Sequence, residues 1–478
     1  MTFSLCANIA YFGVHGSCIL SKITAQNSRQ ISKAFTLPDT IFEAQLMTLS
    51  NDLPADALKI SVFADYKQLI ILTNFLANYN FPVVYDPVLK SSNHFELTGF
   101  NLIEMIRDKL LARITLITPN IPEAEILTET RIQTIEDIKT AGKKLLDYGV
   151  KNVLIKGGHH QSIKYAADYF INSKEEFWLY SNWQEQNLNV HGTGCHLSSA
   201  ITANLALGHL LKDAVVIAKR YINAAIRSSY LPFYTNCQYY ISPFRLSITS
   251  SDMPIITQHL SDFNMTQSPD CGEIGLYPIV ESSDWVGKLI SFGVKTIQLR
   301  LKNCPNEVLE VEIRRSALLA RANNIKLFIN DHWQLAIKYK ASGVHLGQED
   351  LLTADMNQIK KHGLYLGISS HSYYELAAAL FYKPSYIALG PIYPTTSKIM
   401  PWQPQGLNRI PEWLNMLNCR LVIIGGINLD NIVAVMACGA TNIAMISAIT
   451  KAQNPQEVTI KLLKVINKNA HNSLPSPA

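Results

Sequence analysis

In the second half of the chain, short apolar runs recur between segments of helical length and mixed polarity. Eight of them follow in order, at 276–280, 296–300, 326–330, 343–346, 365–369, 386–389, 421–424 and 442–446. Near-continuous apolar runs suit strands covered on both faces, and their alternation with helical segments predicts parallel α/β architecture. Eight such units in roughly 190 residues predict a compact (β/α)8 TIM barrel, in which the C-terminal ends of the strands carry the chemistry. The first half alternates in the same way and also reads as α/β. From Ser247 to Gly272 the pattern lapses into Ser, Thr, Asp, Asn and Pro, which is linker chemistry. The expected division is therefore one domain over 1–246, a linker over 247–271, a barrel over 272–467 and a disordered tail over 468–478.

Composition narrows the function classes. The chain has 478 residues, more than one core usually spans, and 48% of them are hydrophobic against 17% charged, as in folded globular enzymes. A net charge of +5 with scattered Lys and Arg offers no footprint for nucleic acid. The 8 cysteines show neither metal-ligand spacing nor a disulfide framework, and no apolar run is long enough for a membrane span, so a soluble, cytoplasmic protein is expected. The sequence is compatible with a homo-oligomer.

Polar and glycine residues gather where the predicted strands end. The second runs into Gln298-Leu299-Arg300-Leu301-Lys302, where alternation sends both cations to one side. The third ends in Asn330-Asp331-His332 and the fourth in His345-Leu346-Gly347-Gln348-Glu349-Asp350. Two carboxylates on adjacent strand ends suit Mg²⁺ when a phosphate completes the coordination. The fifth stops at Gly367-Ile368-Ser369, and the sixth opens a hydroxyl-rich loop, Thr395-Thr396-Ser397-Lys398. The seventh and eighth end in Gly425-Gly426-Ile427 and Ile446-Ser447-Ala448, whose small residues let backbone N–H groups approach a phosphate. One such residue alone would read as a solvated charge or a plain turn. The set at successive strand ends points to two anion sites, hence two phosphorylated substrates or one bisphosphate.

Taken together, QLRLK, INDH, GVHLGQED, GIS, GPIYPTTSK, IGGI and MISAI resemble thiamine-phosphate synthase, in that family's order over the whole second half. The resemblance implies coupling of 4-amino-5-hydroxymethyl-2-methylpyrimidine diphosphate to a thiazole phosphate. It implies Mg²⁺ on Asp331 and Asp350, and a pyrimidine diphosphate lined by Gln298, Leu299, Arg300, Leu301, Lys302, Asn330, Ser369 and Lys398. Thr395, Thr396, Ser397, Gly426, Ile446 and Ser447 would line the thiazole phosphate, and Arg300, Lys302 and Lys398 would neutralise the leaving pyrophosphate. His332 stands where the family often has Arg. The related thiazole tautomerase barrel does not use the metal chemistry, and both aspartates and the Arg/Lys pair argue against it. They also argue against a binding protein without turnover.

The first half resembles the hydroxymethylpyrimidine/phosphomethylpyrimidine kinases of the ribokinase-like fold, through Thr24-Ala25-Gln26-Asn27, Asp86-Pro87-Val88, Asn120-Ile121-Pro122-Glu123, Lys156-Gly157-Gly158-His159 and His191-Gly192-Thr193-Gly194-Cys195. The resemblance implies ATP as co-substrate, phosphate and metal contacts from Asn120, Glu123, Lys156, Gly192, Thr193 and Gly194, a pyrimidine contact from Gln26, and Cys195 at the catalytic position. Read without it, Cys195 is a buried helix-start cysteine and Asn120 with Glu123 a helix cap. The pyrimidine end departs from the family: its substrate-binding Asp falls on Leu5, the following Lys on Ala7, and Lys-Ile-Gly-Met becomes Lys59-Ile60-Ser61-Val62. The family's opening strand and Gly-rich loop would precede Met1. A kinase with a relaxed site, a degenerate binding or packing module and an incorrect translation start all fit; some retained kinase role is favoured. The whole reads as a fusion of two consecutive steps of thiamine biosynthesis, with small pyrimidine and thiazole phosphates as its partners.

Overall fold

The computed structural model describes residues 2–26, 31–63, 65–89, 100–157, 166–181, 190, 192–231, 239, 241, 246–260, 265–395 and 403–470. The chain divides into two compact units, Met1–Ser261 and Asp262–Ala478. No helix among the described residues is long and apolar enough to cross a membrane.

The first unit is α/β. Strands β1 (Lys22–Gln26) and β2 (Ile31–Thr36) form a separate antiparallel pair. The main sheet has seven strands in sequential order: β3 (Leu58–Ile60), β4 (Val83–Tyr85), β5 (Leu116–Ile117), β6 (Asn152–Ile155), β7 (Ala166–Asn172), β8 (Glu176–Ser181) and β9 (Ile255–Thr257). It is parallel from β3 to β6 and antiparallel from β6 to β9. Helix Thr193–Ala206 packs on β3, β4 and helix Leu211–Arg227, so it is buried on nearly every side from Cys195 to Asn204, and small polar residues such as Ser198, Ser199 and Thr202 bond back to the preceding turn. A buried ion pair, Lys219 Nζ to Asp168 Oδ2 at 2.6 Å, ties helix Leu211–Arg227 to β7.

Two sequence expectations are corrected here. The segment expected as linker is largely structured: its polar run forms a 3-10 turn, Ser250–Asp252, whose Asp252 accepts from Arg227 at 2.8 Å, and β9 extends the sheet beside β8. Residues 265–271 pack on the second unit instead, where Ser268 N–H donates to Lys383 O at 3.1 Å and Cys271 is buried. Polar composition hid a strand only three residues long. The expected tail also begins too early, because helix Pro455–Ala470 runs through 468–470; residues 471–478 lie outside the described residues.

The second unit is a closed, all-parallel barrel of eight strands: β10 (Leu276–Val280), β11 (Thr296–Leu299), β12 (Lys326–Asn330), β13 (Gly343–Leu346), β14 (Tyr365–Ser370), β15 (Tyr386–Leu389), β16 (Arg420–Ile424) and β17 (Asn442–Met445). Each lies within a residue of its expected bounds, and the barrel class is as expected. Alternate residues point inward, so Tyr277 and Ile279, Phe328, Tyr386 and Ala388, Val422 and Ala444 fill the interior. Two interior rings need space. A Cβ on Gly343 would lie 2.6 Å from Phe328, and one on Gly367 would lie 2.1 Å from Tyr386. Glycine at those two inward positions lets the neighbouring rings fit.

Candidate functional site: the barrel mouth and a buried charge cluster

At the barrel mouth, Arg300 continues the ladder beyond β11, its N–H donating to Val280 O at 2.8 Å, and Lys302 follows two residues on, exposed. Asp331 follows β12 in a left-handed conformation, φ 63°, while its N–H donates to His345 O at 2.9 Å. A non-glycine residue held there costs about 1 kcal/mol or more, so its neighbours must fix it. Asp350 comes from the loop after β13, where Gly347 N–H donates to its Oδ2 at 3.0 Å. The two carboxyls approach within hydrogen-bonding reach. Burial first, then the charge and hydrogen bond of Asp350, push the Asp331 carboxyl up to about 6, against the lowering pull of Lys302 and Arg300.

That arrangement suits a divalent cation. A half-buried carboxylate pair repels itself until a positive charge arrives, and two such ligands leave most of a Mg²⁺ shell for phosphate oxygens and water. Among the described residues no group of three or more His, Cys, Asp or Glu could hold a metal.

The opposite arc of the barrel is lined by backbone. Thr395, Gly425, Gly426, Ile446, Ser447 and their neighbours enclose a cavity of about 430 Å³. Gly426 has φ 66°, and a Cβ there would lie 2.6 Å from Pro394 O, so this wall accepts no side chain. Between the arcs, Gln298 and Asn330 are buried on inward positions and Ser369 is half-buried. Ser369 is held from the β13 side: His345 Nε2 lies 2.8 Å from its Oγ, and Gln348 Nε2 donates to its backbone O at 2.7 Å. Thr396, Ser397 and Lys398 lie outside the described residues. Sequence reasoning missed His345, Gln348, Tyr277 and Tyr386 as contributors. Their signal was a polar side chain at inward parity, or directly beyond, in a run otherwise apolar.

In the first unit the expected phosphate-end residues also converge. Gly192, φ 81°, opens helix Thr193–Ala206, and a Cβ on Gly194 would lie 2.8 Å from Lys156 Nζ, so that ammonium sits over the helix's first turn. Lys156 pairs with Asp86 at 3.0 Å and approaches Glu123 at 4.0 Å. Asn120 and Glu123 form a reciprocal cap on helix Ile121–Thr128, both bonds 2.8 Å, so the capping role is present as well. Burial pushes the Glu123 carboxyl up to about 7; Lys156 opposes the rise and Asp86 adds to it.

Asp86, absent from the expected site residues, is the hub. It also accepts from Ser198 Oγ at 3.2 Å and from the Cys195 thiol, with Lys59 Nζ 3.9 Å away. Lys59 in turn donates to Cys195 O and Ser199 Oγ at 2.9 and 3.1 Å. Burial, then the Asp86 charge, push the Cys195 thiol up to about 12. Gln26 is exposed at the end of β1 and is no part of this buried cluster; Gly158, His159 and His191 lie outside the described residues. Leu5 and Ala7 fall within helix Thr2–Tyr11.

Residues 276–449 match the family model for thiamine monophosphate synthase, and residues 7–236 match that for phosphomethylpyrimidine kinase. The thiamine-phosphate synthase of Photorhabdus laumondii is 48% identical over 204 residues, covering 42% of this chain and 94% of that protein. That of Salmonella typhimurium is 48% identical over 193 residues, covering 40% and 92%. Among solved structures, a phosphomethylpyrimidine kinase from Clostridium difficile is 31% identical at a TM-score of 0.42, over 47% of this chain and 91% of that one. A pyridoxal kinase from Staphylococcus aureus in complex with AMP-PCP is 24% identical at a TM-score of 0.47, over 54% and 92%. With its barrel strands, the carboxylate pair that follows the third and fourth of them and the glycine-lined cavity that follows the last three, the chain belongs to the thiamine-phosphate synthase family, with a phosphomethylpyrimidine kinase domain fused ahead of the barrel.

Proposed function

We propose that the barrel joins 4-amino-5-hydroxymethyl-2-methylpyrimidine diphosphate to thiazole phosphate, giving thiamine phosphate and pyrophosphate. The observation that carries this reading is the crowded pair Asp331 and Asp350, flanked by Arg300 and Lys302, on the arc opposite a backbone-lined cavity. One arc suits a metal-bound diphosphate and the other a monophosphate. When bound, Mg²⁺ would supply positive charge against the leaving pyrophosphate.

Arg300 and Lys302 add to that neutralisation from the β11 end, joined by Lys398, which follows β15 in the sequence. The C–O bond to pyrophosphate breaks with its electron pair leaving on oxygen, and electron donation from the aminopyrimidine supports the methylene cation. The thiazole nitrogen then supplies the pair for the new C–N bond, and no protein nucleophile is required. Gln298, Leu299, Leu301, Asn330 and Ser369 line the pyrimidine diphosphate. Thr395, Thr396, Ser397, Gly426, Ile446 and Ser447 line the thiazole phosphate.

The first unit is read as an ATP-dependent kinase domain that supplies the pyrimidine diphosphate. Lys156 and the turn at Gly192, Thr193 and Gly194 face the transferring phosphoryl group, Asn120 and Glu123 help place it, and Cys195 stands beside them; Gln26 would meet the pyrimidine from the hairpin. Substrate and product are small molecules of the aqueous phase, which agrees with a cytoplasmic location.

One incubation series tests both halves: the purified chain with thiazole phosphate and Mg²⁺, given either the pyrimidine diphosphate, or the monophosphate with and without ATP, and read by mass spectrometry. Thiamine phosphate from the diphosphate is expected without ATP, and from the monophosphate only with ATP. No product from the diphosphate would overturn the barrel assignment, and no product from the monophosphate with ATP would overturn the kinase assignment alone.

A further inference from the structure

Five buried or half-buried polar side chains form one continuous hydrogen-bonded file through the barrel interior. Gln298 Nε2 donates to Tyr277 Oη at 3.0 Å, and Tyr277 Oη lies 2.9 Å from Tyr386 Oη. Tyr386 Oη lies 2.8 Å from His345 Nδ1, and His345 Nε2 lies 2.8 Å from Ser369 Oγ. The file crosses β11, β10, β15, β13 and β14. Its ends, Gln298 and Ser369, are two of the uncharged side chains assigned above to the pyrimidine diphosphate. Its middle members, Tyr277, Tyr386 and His345, are 1%, 0% and 7% exposed and lie within the packed interior.

We propose that Tyr277, Tyr386 and His345 are positioning residues that make this file directional and thereby set the hydrogen-bonding polarity of Gln298 and Ser369 toward substrate. The inference rests on the assignment of those two ends to the pyrimidine diphosphate. Proton counting gives the direction. A phenol carries one proton. Tyr277 accepts from the Gln298 amide, so its own proton goes to Tyr386; Tyr386, having accepted, gives its proton to His345 Nδ1. An imidazole that accepts at Nδ1 holds its proton on Nε2 and donates it to Ser369 Oγ. Ser369 is left with its hydroxyl proton to offer to a substrate acceptor, and Gln298 with its carbonyl oxygen to receive a substrate donor.

Packing supports a tuned role. His345 stacks on Tyr386 at 5.7 Å and 20°, and Gly367 leaves the space that ring occupies. Stability alone does not call for such a file, since replacing hydrogen-bonded partners together by apolar groups of the same shape is nearly neutral. Phenylalanines would fill this interior.

The test uses the full chain and double-mutant cycles on coupling kinetics. Tyr277→Phe cuts only the Gln298 arm, His345→Phe only the Ser369 arm, and Tyr386→Phe both. Each is expected to lower kcat by about tenfold, with KM for thiazole phosphate unchanged. Tyr277→Phe should add little in a Gln298→Ala background yet act in full in a Ser369→Ala background, and His345→Phe the reverse. Additivity in every background, or wild-type kcat in the three folded variants, would overturn the inference. Should Gln298→Ala and Ser369→Ala themselves leave coupling intact, the substrate assignment fails first and the inference with it. The tautomer of His345, read in the wild-type chain by ¹⁵N-correlated NMR, is independent of variant folding: Nε2–H is expected, and Nδ1–H or the imidazolium form would overturn the direction.

Discussion

The barrel mouth and the buried cluster of the first unit use the same residue types to opposite effect. At the mouth two carboxylates face each other, and the nearest cations, Arg300 and Lys302, lower the Asp331 pKa only in part. In the first unit one carboxylate, Asp86, is surrounded by Lys156, Ser198, the Cys195 thiol and, farther off, Lys59. Its carboxyl is held below the usual range although burial pushes the other way. At the mouth the pair is left crowded, which an external cation would relieve; in the first unit Asp86 is balanced by groups of the protein itself, while Glu123 beside it stays raised. Charge that is unbalanced in the folded chain marks where a ligand contributes, and charge already balanced marks where the fold depends on the site.

The largest expected effect breaks the first member of that pair. Asp331→Asn or Asp350→Asn should lower coupling by about 10²-fold or more, the scale of losing a main electrostatic stabiliser of a transition state. Relief of like-charge crowding should leave the barrel's thermal unfolding at or above the wild-type temperature. Steady-state rates with saturating Mg²⁺ and a melting curve check both halves; wild-type coupling in either variant would remove the metal site.

The converse experiment sits in the first unit. Asp86→Asn leaves Lys59 buried without its carboxylate and Lys156 with Glu123 alone, 4.0 Å away, and breaking a buried pair from one side costs about 3 to 5 kcal/mol. Denaturant unfolding followed by first-unit tryptophans such as Trp178 should show a loss of that order while the barrel's coupling rate is unaffected. A neutral outcome would mean that Asp86 is not balanced by its lysines as the distances suggest.

How much of this contrast the sequence carried follows from what each feature requires. The eight barrel strands were legible because each is a buried run between helical segments, and the strand-end motifs told where the mouth would be. The file through Tyr277, Tyr386 and His345 was not, because it depends on which inward side chains of non-neighbouring strands meet. Asp86 and Lys59 were visible as motif residues, but their pairing with Lys156 and Cys195 depends on bringing β3, β4, the end of β6 and the start of helix Thr193–Ala206 together. Strand β9 was lost in a polar stretch because three residues carry too little periodicity to register.

A smaller effect sharpens the division of the barrel mouth into two arcs. Gly426→Ala would force a side chain into a left-handed conformation against Pro394 O and Tyr393 Cβ, at 2.6 and 2.7 Å. The wall should shift at a cost of about 1 to 3 kcal/mol, raising KM for thiazole phosphate by about tenfold while KM for the pyrimidine diphosphate changes little. Equal changes in both constants would merge the two arcs into one site.

The smallest effect concerns Cys195, whose environment most directly expresses the closed balance of the first unit. With burial and Asp86 pushing its thiol up to about 12, the thiolate fraction at pH 8 is on the order of 10⁻⁴. A disulfide reagent at that pH should therefore leave Cys195 unmodified in the folded chain, and Cys195→Ser should leave the number of fast-reacting thiols unchanged. The linkage has a definite sign. A thiol whose folded pKa lies above its unfolded value contributes stability that is complete below the unfolded value near 9.0 and is lost as pH rises toward 12. Cys195→Ala should accordingly flatten part of the alkaline fall in first-unit stability between pH 9 and 12, with little change at pH 7. Rapid modification at pH 8, or an alkaline limb as steep in the variant as in wild type, would mean that the thiol is not held protonated by burial and Asp86. The balance around Asp86 would then be open, and the contrast with the barrel mouth would fail at its most buried point.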